Sequence, residues 1–417
     1  MSIVLIGAGS TVFTPGLLTD LAAAPAFAGW TVHLVDLNAD AADTMARLGT
    51  RIAASAGADL TFEAHTDRRE ALPGARFVTT TIAVGGASGW NADLAVPAKY
   101  GVTQTVGDSV GPGGVLRALR HVPELVSIAR DVADLAPGAT IVNYSNPLTA
   151  NVRAIHRATG VPVIGLCHGT MHTTSTLAAE LGVPANEVHA VWAGLNHLCW
   201  LLSLHHGPTD LYPRLRELSL EPVSTDLMRT FGLYPAPGDR HVAEFFPWYL
   251  RGNDSPPGLD DTMRYIGEKT DLWERLHDQA AGRIPLDTTR DQEAERLVSI
   301  LASIVTGRES VELAVNLPNE GKIPNVPSSA VVELPAVVSA AGVNGVAVGA
   351  LPPAIAAVLT ARAEQQELTV SAALNGDRAM ALQALALDPL VPDPATAVAI
   401  LDDAITAHAP LLNGFAA

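Results

Sequence analysis

The 417-residue chain has only two cysteines, Cys167 and Cys199. That excludes a small scaffold stapled by several disulfides and makes a reducing cytoplasm the expected compartment. Positive charge is also scarce: 26 Lys+Arg stand against 43 Asp+Glu, a formal charge of −17. With no basic block, neither nucleic acid nor an anionic membrane is expected as a partner. No run of 18 apolar residues is present to span a bilayer. The opening residues Met1–Ile6 lack the basic start of a secretory signal and read as a strand. Apolar residues, at 48% against 17% charged, are plentiful. At about 150 residues per domain the length allows two or three domains with sizeable cores. The composition fits an α/β enzyme.

In the N-terminal half, short β-branched runs alternate with longer helical patterns. Ile3–Ile6, Thr31–Val35, Phe77–Ile82, Thr140–Asn143 and Val161–Leu166 read as buried strands, with helical periodicity over Ala41–Ala54 and Val115–Leu135. Continuous apolar strands separated by helices imply a parallel sheet covered on both faces. Beyond residue 190 the pattern changes. Val191–Leu204 reads as one or two strands and Pro and Gly become frequent through 207–260. Glu293–Val305 and three stretches after Pro353 read as helices, and Val331–Leu334 as a strand. The expected architecture is a Rossmann-like, doubly wound parallel sheet over 1–195 and a mixed α+β catalytic domain over 196–417, as in lactate and malate dehydrogenases.

Strand Ile3–Ile6 leads into Gly7-Ala8-Gly9-Ser10 and a helix from about Pro15, and the second strand ends at Asp36, 27 residues after Gly9. Gly7 permits the tight turn, and Gly9 lets the backbone approach a pyrophosphate at a helix N-terminus. An acid at the end of the second strand accepts the ribose hydroxyls of NAD and repels the 2′-phosphate of NADP. The third glycine of the usual fingerprint is replaced by Val12 or Phe13. NAD is the expected cofactor.

Three further segments are rich in polar and special residues: Gly107–Gly114, Asn143–Pro147, and Gly165–Gly169 taken with Gly194–His197. In an open parallel sheet, ligands bind outside the carboxyl ends of the strands, where most of these segments fall. Cys167 and His197 lie 30 residues apart, unlike a structural zinc motif. They suit an open catalytic metal site, or else a small buried thiol and a core histidine. Strand alternation would place Cys199 on the face of His197. Asp108 could act in catalysis or cap the helix that follows it.

These residues, in order, resemble the NAD- and divalent-metal-dependent glycosidases, family 4 of the glycoside hydrolases. The likeness runs from Gly7-Ala8-Gly9-Ser10 through Ala83-Val84-Gly85-Gly86, Thr105–Gly114 with Arg117 and Arg120, and Asn143–Pro147. It continues through Gly165–Gly169, Ala193–His197, and Asn316–Asn319 with Gly321, Ile323, Asn325, Pro327 and Glu333. The resemblance implies Mn²⁺ ligands at Cys167 and His197, a sugar contact at Asn146, and NAD contacts at Gly7, Gly9, Ser10 and Asp36. Cys167-His168-Gly169-Thr170 is similar to members acting on unphosphorylated sugars, and the Asp108/Arg117 loop is most like the α-galactosidase branch. α-Glucosides and α-hexuronides are the alternatives.

The implied mechanism is oxidation at C3 by NAD⁺, removal of the C2 proton, elimination of the aglycone, addition of water and return of the hydride. This is the recognised exception to the two-carboxylate glycosidase scheme. Asp239 is the favoured base over Tyr234, both in the segment Phe231–His241. Asp108 and His168 compete as acid to the leaving group. Arg117, Arg240, His241 and Arg290 are candidate substrate contacts; with a uronate as substrate, an arginine should pair bidentately with its carboxylate. The likeness also implies a homodimer or homotetramer. Two other readings stay open: a 2-hydroxyacid dehydrogenase, which needs no metal cysteine, and a non-catalytic NAD-sensing protein.

Overall fold

The computed structural model describes residues 1–253, 256–267, 269–287 and 296–416. In chain order the strands are β1 (Ser2–Ile6), β2 (Trp30–Val35), β3 (Leu60–His65), β4 (Ala75–Thr80), β5 (Thr140–Asn143), β6 (Val163–Gly165), β7 (Val188–Leu195), β8 (Leu198–His206), β9 (Thr209–Asp210), β10 (Pro235–Ala236), β11 (Ser310–Pro318), β12 (Val331–Ser339) and β13 (Gly342–Gly345). They form one sheet in the order β10-β8-β7-β12-β11-β6-β5-β4-β1-β2-β3, with β13 beside β12 and β9 beside β8. Pairing from β6 to β3 is parallel; from β6 through β11, β12, β7 and β8 to β10 it is antiparallel. The parallel part has the doubly wound order 3-2-1-4-5-6. The Rossmann-like α/β expectation is met.

Burial explains which strands the sequence announces. Every residue of β1 is buried, as expected of an apolar strand between two helical layers. β3 is the sheet edge and alternates: Phe62 packs on the helix Ala39–Ala56, where an added Cβ at Gly49 would lie 2.7 Å from its ring, while Thr61 and Glu63 are exposed. That half-polar strand is absent from the sequence reading. So are β11 and β13.

One rank of residues crosses the whole sheet. It runs His65, Val35, Ile6, Thr80, Asn143, Gly165, Asn316, Glu333, Gly194, Cys199 and Ala236, each paired with the next. The turns and loops beyond the parallel part of this rank carry the nucleotide signature, and those over its middle carry the polar segments. Two of its glycines are forced by packing. A Cβ at Gly165 would stand 2.4 Å from Leu148, and one at Gly194 would stand 2.3 Å from the Leu198 carbonyl oxygen.

The helix Gly111–Leu135 joins the two halves. Its glycine-rich start is steric in origin: a Cβ on Gly113 would lie 2.7 Å from the Gly107 oxygen, and one on Gly114 2.6 Å from Ser109. The loop therefore lies directly on the first helical turn, presenting Asp108 and Ser109. Deeper in the helix, Arg120 makes a buried bidentate pair with Asp93 at 2.6 and 2.9 Å, and His408 sits 3.1 Å from the same carboxylate. This ties the last C-terminal helix, Pro394–Ala407, to the core. Removing one partner of such a pair costs about 3–5 kcal/mol because a buried charge is left uncompensated.

Candidate active site

The nucleotide cradle forms as its glycines require. Gly7 has φ +86°, and a Cβ there would meet the Thr81 backbone at 2.8 Å, so β1 and β4 close tightly at the switch point. Gly9 N–H donates to Asp36 Oδ2 at 2.8 Å, and a Cβ on Gly9 would strike that oxygen. Asn38 N–H donates to Asp36 Oδ1 at 2.9 Å. Ser10 Oγ accepts from Phe13 N–H at 3.2 Å and shapes the turn before the helix Thr14–Ala22. Gly7, Gly9, Ser10 and Asp36 thus share one site, and the missing third glycine is accommodated because Val12 is exposed.

The second site lies over the middle of the rank. Cys167 follows β6, Asn146 follows β5, and Asn196-His197 form the two-residue turn between β7 and β8. His197 has φ +65°, a left-handed conformation that costs a non-glycine residue about 1–2 kcal/mol. Its Nδ1 lies 2.9 Å from Ser109 Oγ and 3.6 Å from Asp108 Oδ1, which holds the ring in place. Asp108 Oδ1 also accepts from Ser109 Oγ, and Oδ2 accepts from Asn146 Nδ2, both at 2.8 Å. Because His197 is in the turn, Cys199 does not share its site. Cys199 is buried with Trp192 and Tyr234, its thiol facing the Glu333 carbonyl at 3.6 Å.

The donor set fits a divalent cation. Ligand atoms of Asp108, His197 and His241 all lie within 4.8 Å of one another, and the His197 and His241 ring centres are 4.0 Å apart. His241 Nδ1 is buried with no hydrogen-bond partner among the described residues, and its Nε2 accepts from Arg240 Nε, so a cation would take the Nε2 lone pair in place of that bond. Burial holds both histidines below their usual pKa, which favours the neutral imidazoles that a cation would need. Burial, then the nearby Glu333 carboxylate, pushes the Cys167 thiol up to about 12. A coordinated cation would reverse that by stabilising the thiolate. Glu333, raised to about 7 by burial, accepts from Asn196 Nδ2 and Thr170 Oγ1 at 3.2 and 3.4 Å and so fixes the floor under Cys167.

Two of the expected acid–base residues lie elsewhere. The Asp239 carboxylate caps the helix Pro222–Phe231, accepting from Val223 N–H, Ser224 N–H and Ser224 Oγ at 2.8, 2.7 and 2.8 Å. Its lone pairs are committed there, which argues against a base. Tyr234 is only 3% exposed, and its phenol, bonded to Ser224, is pushed up by burial and by Glu221. It packs in the core beside Cys199 and Trp192. Asp108 caps no helix, since the N-cap of Gly111–Leu135 is Val110, without a side-chain cap. Arg290 lies outside the described residues.

The structure supplies groups that the sequence did not single out. On the helix Leu259–Gly267, Tyr265 packs against Trp90 at 5.9 Å between ring centres. Its phenol is raised mainly by burial, lowered by the Arg240 guanidinium and raised again by Asp108, so both charges lie within electrostatic range of it. Arg117 lies 5.3 Å over the Trp90 ring and donates to the Asn146 carbonyl at 3.2 Å. Arg240 is exposed at the rim, its Nε donating to His241 Nε2 at 3.2 Å. His168 is exposed beside Cys167 and acts electrostatically on His197 and His241.

Glu244 is buried and accepts from the Thr105, Val106 and Gly107 amides at 3.0, 2.8 and 2.7 Å, moulding the loop that carries Asp108. Burial raises it to about 8 against the pull of those amides. No sequence signal marks Tyr265 or Glu244, because both act on segments more than a hundred residues away.

Residues 2–183 match the family described as family 4 glycosyl hydrolase, and residues 192–391 match its C-terminal domain. The chain is 31% identical to an alpha-galactosidase of Rhizobium meliloti, over 99% of this chain and 89% of that protein. It is 32% identical to an alpha-galacturonidase of Bacillus subtilis, over 94% and 93%. A 6-phospho-alpha-glucosidase from gut microorganisms, solved in complex with NAD and Mn²⁺, shares the fold with a TM-score of 0.87 at 22% identity, covering 98% of both chains.

Proposed function

Since the chain belongs to family 4 of the glycosyl hydrolases, we propose that it hydrolyses unphosphorylated α-galactosides with NAD and Mn²⁺ as cofactors. α-Hexuronides and α-glucosides are the next substrates in order. The observation that carries this reading is the meeting of two sites above one rank of the sheet. A dinucleotide cradle and the Asp108–His197–His241 group, with Cys167 following β6, lie over the same edge of the sheet, as redox chemistry and proton abstraction at neighbouring sugar carbons require.

The chemistry the two groups supply when bound is reversible hydride acceptance at C3 and polarisation of the C3 oxygen. Gly7 and Gly9 leave room for the pyrophosphate, Ser10 shapes its turn, and Asp36 receives the ribose hydroxyls. Cys167 and His197 hold the cation, with Asp108 and His241 in reach. Asn146 grips the sugar hydroxyls near C2 and C3. Tyr265 takes the C2 proton: it packs on Trp90, which Arg117 overlies, and although burial raises its phenol, the Arg240 guanidinium pulls it back toward the phenolate. His168, exposed beside the metal cysteine, delivers a proton to the leaving oxygen. Asp108 accepts hydrogen bonds from Ser109 and Asn146, so it orients rather than donates. Arg117 and Arg240 contact the sugar.

We assign residues 1–195 to NAD binding and 196–417 to the substrate side, with Asn146 and Cys167 reaching over. Among the described residues no helix is long and apolar enough to cross a membrane. A metal thiolate needs a reducing compartment, which supports the cytoplasm, and a homodimer or homotetramer is the proposed assembly.

Protein stripped of NAD and treated with chelator should not cleave p-nitrophenyl α-D-galactopyranoside until NAD⁺ and Mn²⁺ are both restored. Undiminished cleavage by the stripped protein would overturn the reading.

A further inference from the structure

A second group of metal-ligating side chains lies at the far edge of the sheet. His33 on β2 pairs in register with Glu63 on β3, and His65 follows two residues on. Strand alternation brings all three side chains out on one face. His33 Nδ1 and His65 Nε2 are 3.0 Å apart, and Glu63 Oε2 lies 3.3 and 3.7 Å from these same two nitrogens. Ligands at about 2.0–2.1 Å around a tetrahedral Zn²⁺ are separated by about 3.3–3.4 Å, the size of this triangle.

We propose that His33, Glu63 and His65 bind a borderline divalent transition-metal ion such as Zn²⁺. Two neutral imidazoles and one carboxylate on two hydrogen-bonded strands form a preorganised three-ligand set, with water completing the shell. The histidine side chains are 14% and 16% exposed, and the carboxylate is 50% exposed, so the ion enters from the Glu63 side. Behind the site, the other nitrogen of His65 lies 3.8 Å from the exposed Glu70 carboxylate.

The site is separate from the catalytic donor set. It pins the edge strand whose His65 carbonyl accepts the Asp36 N–H at 3.1 Å, just behind the ribose-binding acid.

Full-length C167S/H197A protein, with its catalytic metal ligands removed, isolates the edge site. Zn²⁺ is titrated by calorimetry and bound metal is counted after desalting. One Zn²⁺ per chain is expected, with E63Q weakening it at least tenfold and H33N/H65N abolishing it. Wild-type protein carrying only H33N/H65N serves as a second test, and should bind one Zn²⁺ fewer per chain than wild type. Equal stoichiometry and affinity with and without the two histidines would overturn the proposal.

Discussion

The nucleotide side and the sugar side of this molecule are built by different means. The first is made of consecutive residues at two strand ends, where Gly7, Gly9 and Asp36 are fixed by backbone clearance and two amide hydrogen bonds. The second is gathered from the loop before Gly111–Leu135, the turns after β5 and β6, the β7–β8 hairpin, and the segments holding His241 and Tyr265. Local geometry suffices to bind a dinucleotide, whereas acid–base chemistry on a sugar needs groups brought from far along the chain.

Mutations should separate the two sides. The largest effect is expected at the metal ligands. C167S or H197A should lower kcat/KM at least 10³-fold, about 4 kcal/mol of transition-state stabilisation, with NAD affinity changed less than threefold. A matching loss of NAD affinity, measured by calorimetry, would mean the two sides are not independent. Next, Y265F should lower kcat by about 10²–10⁴ with little change in KM, as loss of a general base does. Y234F and D239N should retain kcat within about fivefold, while D239N loses about 1–3 kcal/mol of stability in denaturant titrations. The reverse ranking would return the base to the buried cluster.

On the nucleotide side, G9V forces a side chain against Asp36 and should weaken NAD binding about tenfold to hundredfold. Mn²⁺ affinity should not move. The smallest effect concerns Glu244. Its folded pKa of about 8 lies above the ordinary carboxylate value, so its contribution to stability is fullest in acid and is lost as pH rises through 8. E244Q lacks that titration. The stability advantage of wild type over E244Q should shrink by on the order of 4 kcal/mol between pH 5 and pH 9. A pH-independent difference would show that Glu244 stays ionised.

The same contrast explains what could be read from the amino-acid sequence. β1, β2, β4, β5 and β6 were legible because apolar runs between two helical layers leave a continuous signal. β3, with Thr61 and Glu63 facing solvent, left none. Cys167, His197, Asn146 and Asp108 lie in glycine- and asparagine-rich turns; hydrogen bonds tie Asn146 to Asp108 and the adjoining Ser109 to His197, and Cys167 follows β6 in the same rank. Asp239 looked equally special, but its setting in a Gly-Asp segment reflects a cap on the helix Pro222–Phe231. A helix cap and a catalytic carboxylate share one local signature. Only the partners, fifteen and sixteen residues back along the chain, distinguish them. Tyr265 is a single aromatic on an amphipathic helix, and its closeness to Trp90, Arg240 and Asp108 is purely tertiary.

In the proposed reaction the two sides meet on one sugar, and Tyr265 removes the C2 proton. Hydrolysis of p-nitrophenyl α-D-galactopyranoside in D₂O, followed by NMR of the released sugar, tests this directly. Wild-type protein with NAD⁺ and Mn²⁺ should place deuterium at C2, and Y265F should lose cleavage and exchange together. Cleavage that leaves C2 fully protonated, or exchange at the wild-type rate in Y265F, would contradict it.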